Sequence, residues 1–134
     1  VILADVNVLV YAARREAPRH QAARQALAGA VALCPHTVNG TLRILTHPAI
    51  WKPPLTMAEA LTFVEALVLR PGNRWLAPGP RHWALFADLC RRHASQGNAV
   101  YDLHLAALAI EHGCPLVSAD EDFRPIAGLR LQPL

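Results

Sequence analysis

Lysine is all but missing from this chain of 134 residues: of its thirteen basic residues only Lys52 is one, and the other twelve are arginine. The planar arginine fork suits phosphate. Plentiful Ala, Arg and Pro with little Lys also suits a GC-rich coding bias, so the net charge of +3 permits a nucleic-acid partner without establishing one. Cysteine is scarce as well. Cys34, Cys90 and Cys114 are odd in number, far apart and form no C-x-x-C pair. That argues against a disulfide framework and a cysteine zinc site, and a reducing cytoplasm is the expected home. No apolar stretch reaches about 18 residues without charge, so no membrane span is expected. No charged n-region precedes a cleavage site, so no secretory signal is expected either. Ser95 and Ser118 are the only serines and neither lies in G-x-S-x-G, which removes a serine hydrolase. The seven glycines form no P-loop and no G-x-G-x-x-G. The seven histidines are scattered, and His104 and His112 stand eight apart on one predicted helix, so a zinc site is not expected.

What is present is apolar and evenly spread. With 53% hydrophobic residues and no linker or low-complexity segment, residues 1–134 read as one domain with a real core. The run Ile2-Leu3-Ala4-Asp5-Val6-Asn7-Val8-Leu9-Val10 is rich in β-branched residues and predicts a strand buried on both faces of a parallel sheet. Pro18 introduces a helix to about Leu27, with Ala23 and Leu27 inward and Arg14, Arg15, Arg19 and Arg24 on a solvated face. Ala30 to Cys34 is a second strand, and Val38, Leu42 and Leu45 set a helix over Thr37–Thr46. Gly40 inside that helix costs about 1 kcal/mol against Ala and calls for a reason. Pro48, Pro53 and Pro54 force an irregular connection around Trp51.

Thr56-Met57-Ala58-Glu59 is a capping box that opens a helix to about Leu69, which makes Glu59 structural and leaves Glu65 on a solvated face. Pro71-Gly72 turns the chain into a short strand over Trp75-Leu76-Ala77. A helix from Arg81 to Ala94 then carries Trp83, Phe86, Cys90 and His93 as a core stripe. Asp102 starts a strongly apolar helix that Gly113 ends; Cys114 to Ser118 and Leu129 to Leu131 are the last strands. Strands alternating with helices predict an α/β fold with a mainly parallel central sheet flanked by helices.

Of the ten acidic residues, Asp5, Asp102, Asp120 and Asp122 fall at strand ends or a helix start. Asp5 and Asp102 have an ordinary use there as caps of helix N-termini. In open α/β sheets, however, ligands collect outside the carboxyl ends of the strands. Two carboxylates about 6 Å apart repel by roughly 3 kcal/mol at an effective dielectric near 20. A hard cation, Mg²⁺ or Mn²⁺, would offset that and could activate water at a phosphodiester. A dehalogenase-like phosphatase also places an Asp after its first strand, but needs a second two residues on, where this chain has Asn7.

Four segments in order carry a resemblance: Ala4-Asp5-Val6-Asn7-Val8-Leu9, Asn39-Gly40-Thr41-Leu42-Arg43-Ile44-Leu45-Thr46-His47-Pro48, Asp102-Leu103-His104-Leu105-Ala106-Ala107-Leu108-Ala109 and Leu116-Val117-Ser118-Ala119-Asp120-Glu121-Asp122-Phe123. Together they resemble the PIN domain, and within it the VapC-type toxins of bacterial toxin–antitoxin pairs. The resemblance implies a Mg²⁺- or Mn²⁺-dependent ribonuclease, dimeric and restrained by a VapB-type antitoxin. It assigns Asp5, Asp102 and Asp120 to the catalytic, metal-holding acidic positions. Asp122 becomes an auxiliary acid, and Asn7 and Ser118 become polar neighbours that orient the acids. One position departs from the pattern. Many relatives carry a Glu where this chain has Gly40, and no acid lies between Glu16 and Glu59. The cluster then has one carboxylate fewer, with Asn39, water or Asp122 to fill in. The alternative is a PIN-like module that binds RNA or an antitoxin but cleaves poorly.

Overall fold

The computed structural model describes residues 1–93 and 96–134; Ser95 and the predicted helix end at Ala94 lie outside the described residues. Five short strands, β1 (Ile2–Ala4), β2 (Val31–Leu33), β3 (Arg74–Trp75), β4 (Leu116–Ser118) and β5 (Leu131–Pro133), form one sheet in the order β3-β2-β1-β4-β5. Every pairing is parallel, as the strand–helix alternation predicts. The described helices are α1 (Val6–Ala13), α2 (His20–Ala26), α3 (Pro35–Leu45), α4 (Met57–Val68), α5 (His82–His93) and α6 (Ala99–Glu111), with a 3-10 turn at Glu121–Phe123. Among the described residues no helix is long and apolar enough to cross a membrane.

Successive strand residues point to opposite faces, and the core divides accordingly. Leu3, Ala32 and Leu116 pack with Leu105, Leu108 and Phe123 on one side. Ala4, Leu33 and Val117 pack with Val8, Leu9 and Leu27 on the other. Both faces are covered, which is why the strands read as continuous apolar runs. Burying each large side chain contributes roughly 1.5–3 kcal/mol. From β1 the chain winds outward to β2 and β3, then returns to pair β4 and β5 on the opposite side. This reversal opens a crevice outside the carboxyl ends of β1 and β4.

Several local expectations change. The nine-residue N-terminal strand is a strand only to Ala4; the chain turns at Asp5, and Val6 onward is helix. A short apolar run fits either state by composition. Here burial of Val8, Leu9 and Ala12 against the sheet, and of Val10 against Leu45 and Ala60, outweighs the strand preference of the valines. Helix α2 begins after Arg19 rather than at Pro18, and α3 begins at Pro35, two residues before its predicted start. Arg14 is not on a solvated face. It is 8% exposed, donates to the Pro53 carbonyl at 3.1 Å, pairs with Glu16 and lies 4.6 Å from the Trp51 ring centroid. The desolvated guanidinium gains from the ring quadrupole and fixes the proline-rich connection to α1. Arg15, Arg19 and Arg24 are exposed as expected.

Trp83 departs from the predicted core stripe at 72% exposure. Strand β3 is Arg74–Trp75, and β5 begins at Leu131 rather than Leu129. Helix α6 begins at Ala99, so Asp102 sits in its first turn and is not its cap. Other signals hold. Thr56 and Glu59 form the reciprocal capping box of α4, and Gly113 takes a positive φ of 64° after α6. The three cysteines are free.

Gly40 now has its reason. A Cβ built there would lie 2.7 Å from Val6 Cγ2, so α3 crosses α1 in contact that only glycine permits. Valine in a helix is held in one rotamer and cannot swing clear cheaply. We predict that Gly40→Ala lowers stability by about 1–2 kcal/mol, the overpacking cost exceeding the helix-propensity gain of about 1 kcal/mol. Equilibrium urea unfolding reads this, and Val6→Ala in the same chain should restore much of the loss.

Candidate active site

The strand-to-helix turn at the end of β1 is made by Asp5. Its Oδ1 accepts the Val6 amide at 2.7 Å, capping α1. Its Oδ2 accepts the Ser118 hydroxyl at 2.6 Å and the Asn7 side-chain amide at 3.1 Å. Ser118 closes β4, and its Oγ in turn accepts the Asp120 backbone amide at 2.9 Å and the Asn7 side-chain amide at 3.2 Å. Asn7 Oδ1 accepts the Ala119 amide at 3.2 Å. These side chains add to the backbone bond from the Asp5 amide to the Val117 carbonyl at 3.0 Å in tying the two neighbouring strand ends together. Asp120 caps the 3-10 turn, with Oδ1 accepting the Asp122 amide at 2.9 Å. Phe123, 1% exposed in the core, anchors that turn.

Asp102 arrives from α6, the helix that lies most deeply in the core, with Leu105 to Ala109 fully buried. Among the described residues its carboxylate accepts no hydrogen bond. Asp5, Asp102 and Asp120 line one cavity of about 520 Å³, together with Asn7, Gly40 and Arg43. Asp5 and Asp102 each feel a neighbouring carboxylate. Burial first, then the charges of Asp5, Asp120 and Asp122, push the Asp102 carboxyl up to about 6. Burial also raises Asp5, with a smaller push from Asp120, against the Ser118 and Val6 hydrogen bonds that lower it. His36 bears on Asp5 from α3 and opposes that rise.

The three aspartates expected from the sequence therefore share a cavity, with Asn7 and Ser118 bonded to Asp5. Asp122 lies outside this cavity, in a smaller one of about 290 Å³ that shares Asp102. Asn39 is exposed and absent from the wall, whereas Gly40 is part of it. Sequence reasoning passed over Arg43, Trp51 and Tyr101, which also line the cavity. Arg43 follows Gly40 by one helical turn and Tyr101 precedes Asp102, and those spacings were the available signal.

The donor set fits a hard divalent cation. Its oxygens are all carboxylate or amide, and among the described residues none of Asp5, Asp102 and Asp120 forms a salt bridge to a cation of the chain. Among the described residues no three His, Cys, Asp or Glu side chains stand closely enough together to hold an ion by themselves. An open rim of this kind matches a cation that retains several waters.

The family model described as PIN domain matches residues 2–129. The chain belongs to the PIN-domain family. It is 37% identical to Ribonuclease VapC25 of Mycobacterium tuberculosis over 136 aligned positions, covering 97% of this PIN domain and 96% of that protein. Ribonuclease VapC43 of the same organism is 33% identical, with 97% and 92% covered. The fold of VapC20 from Mycobacterium tuberculosis, described as a Sarcin-Ricin loop cleaving toxin, superposes with a TM-score of 0.72 at 16% identity, covering 99% and 100%. A toxin-antitoxin complex from Klebsiella pneumoniae contains a chain that matches with a TM-score of 0.66 at 18% identity, covering 96% and 95%. These solved structures share the fold of this PIN domain.

Burial of Asp102, with the repulsion of its neighbouring carboxylates added, sets a pH dependence for the metal-free protein. Its folded pKa of about 6 lies above the unfolded value near 3.9, so the native state holds the proton more tightly. The resulting penalty is absent below about pH 4 and complete above about pH 6. We predict that Asp102→Asn raises the melting temperature relative to the parent chain in EDTA at pH 7.5. The difference should shrink towards zero at pH 4.5; calorimetric scans at both values check it.

Proposed function

We propose that residues 1–134 form a single PIN domain that acts as a divalent-metal-dependent endoribonuclease, the toxin of a VapBC-type toxin–antitoxin pair, in the bacterial cytoplasm. The observation that carries this reading is the convergence of Asp5, Asp102 and Asp120, from three separate elements, on one cavity at the sheet's switch point. The names of its curated relatives as ribonucleases support the activity. The toxin–antitoxin complex among its structural neighbours supports a VapB-type antitoxin as partner. A homodimer is part of the proposal.

In this reading Asp5, Asp102 and Asp120 hold Mg²⁺ or Mn²⁺. Such a cation, when bound, neutralises charge at a phosphodiester and lowers the pKa of water. The chain's own contribution is placement. Asp5 cannot turn, because one oxygen caps α1 and the other is held by Ser118 and Asn7. Asp120 is set by its own amide on Ser118. Asp102 has no competing hydrogen bond among the described residues, so its oxygens are open to a cation. A second reading, a module that binds RNA or antitoxin and cleaves weakly, draws on Gly40, where a carboxylate meets Val6.

The expected outcome is Mn²⁺-stimulated cleavage of structured RNA by the pure protein, abolished by EDTA and by Asp5→Ala. Ser118→Ala should cost about 10–100-fold, because an outer hydrogen bond to a metal-holding carboxylate is lost. Gel assays of RNA cleavage and calorimetric titration with Mn²⁺ test the pair of readings. Absence of both cleavage and metal binding overturns the enzyme; metal and RNA binding with little cleavage selects the second reading.

A further inference from the structure

The cavity is larger than a cation requires. At about 30 Å³ per water, an ion with its waters uses on the order of 200 Å³. The cavity holds about 520 Å³, within the range of small-ligand sites. The surplus space is bounded by a wall of different chemistry from the aspartates. Arg43 is the one cationic side chain in that wall among the described residues. It is exposed, and among the described residues its guanidinium makes neither an ion pair nor a hydrogen bond, although three carboxylates line the same cavity. Helical spacing puts Arg43 one turn from Gly40. The close contact with Val6 keeps position 40 without a side chain, so that point of the wall adds no bulk to the cavity.

Tyr101 is the second element of the wall. It remains 59% exposed, despite the large area an aromatic ring gains by burial. Its ring leans against His36 at 5.5 Å and 31°, which holds it in place while much of its surface stays open. A half-open ring and a guanidinium without a partner among the described residues, lining one cavity, are a combination that binds single-stranded nucleic acid: charge for a phosphate and a π-face for a base.

We propose that this wall seats the nucleotide next to the cleaved phosphodiester, with Arg43 paired to its phosphate and Tyr101 stacked on its base. The inference rests on the ribonuclease reading above and specifies how that site holds its substrate. Arg43 offsets the repulsion between the RNA backbone and the aspartates. Because a stacked base must leave its own helix, the seated nucleotide is unpaired.

The test uses the full chain and a labelled single-stranded oligoribonucleotide, followed by fluorescence anisotropy across a salt series. Binding is read on the Asp102→Asn background in EDTA, and kcat and KM are read on the parent chain with Mn²⁺. Arg43→Ala should weaken binding roughly ten-fold and lower the salt slope by about 0.7, the single-strand value for one phosphate. Arg43→Lys should keep the slope. Tyr101→Leu should weaken binding roughly ten-fold and Tyr101→Phe should not. An abasic nucleotide beside the cut should weaken the parent and leave Tyr101→Leu unaffected. On the enzyme, both losses should appear mainly in KM. Cleavage by the parent with binding and KM unchanged in folded Arg43→Ala and Tyr101→Leu overturns this inference alone, and leaves the wall to a protein partner. Binding that depends on both residues, with no cleavage by the parent, upholds the nucleotide seat and overturns the enzyme. No RNA binding by the Asp102→Asn chain together with no cleavage by the parent overturns both.

Discussion

A carboxylate with 8% exposure at the junction of the two central strands has to be held by hydrogen bonds, and the carboxyl end of this sheet depends on how Asp5 meets that demand. One oxygen starts α1 and the other joins β1 to β4 through Ser118 and Asn7. Each is a charge-assisted bond, the stronger kind. The same contacts that terminate a strand and nucleate a helix also orient an acid towards the cavity. Its presence is therefore an ordinary part of folding here, and the site is built into the sheet rather than attached to it.

Asp102 is held by the opposite principle. Nothing among the described residues bonds its carboxylate, and its position follows from the helix that carries it. That helix is secured at its far end too. Glu111 accepts the amides of Gly79 at 2.9 Å and Arg81 at 3.0 Å, which binds the segment entering α5 to the end of α6. The site thus joins one acid whose orientation is fixed locally to another whose placement is fixed by the core. The unsatisfied member bears the larger electrostatic cost.

The architecture was legible because a doubly covered parallel sheet writes continuous apolar runs separated by helical spacing. That Asp5, Asp102 and Asp120 would share one cavity was legible because motif order survives in sequence. The boundary of β1 was not. Val6, Val8 and Val10 suit a strand, and only the packing of Val8 and Leu9 under the sheet makes them helical. Arg14 was misplaced for a related reason: a guanidinium looks solvated in sequence until Trp51, 37 residues away, is seen beneath it. Arg43 and Tyr101 stayed hidden because a cavity wall is assembled from α3 and α6, and neither residue stands out within its own helix.

Gly40 gains meaning when set beside Val6. The resemblance of the α3 segment to other PIN domains makes it a carboxylate that is absent; the crossing of α1 and α3 makes it a steric requirement. These two statements tie positions 6 and 40 into one packing unit. A larger side chain at 40 needs room that Val6 occupies, so it is accommodated at least cost where position 6 carries a smaller residue.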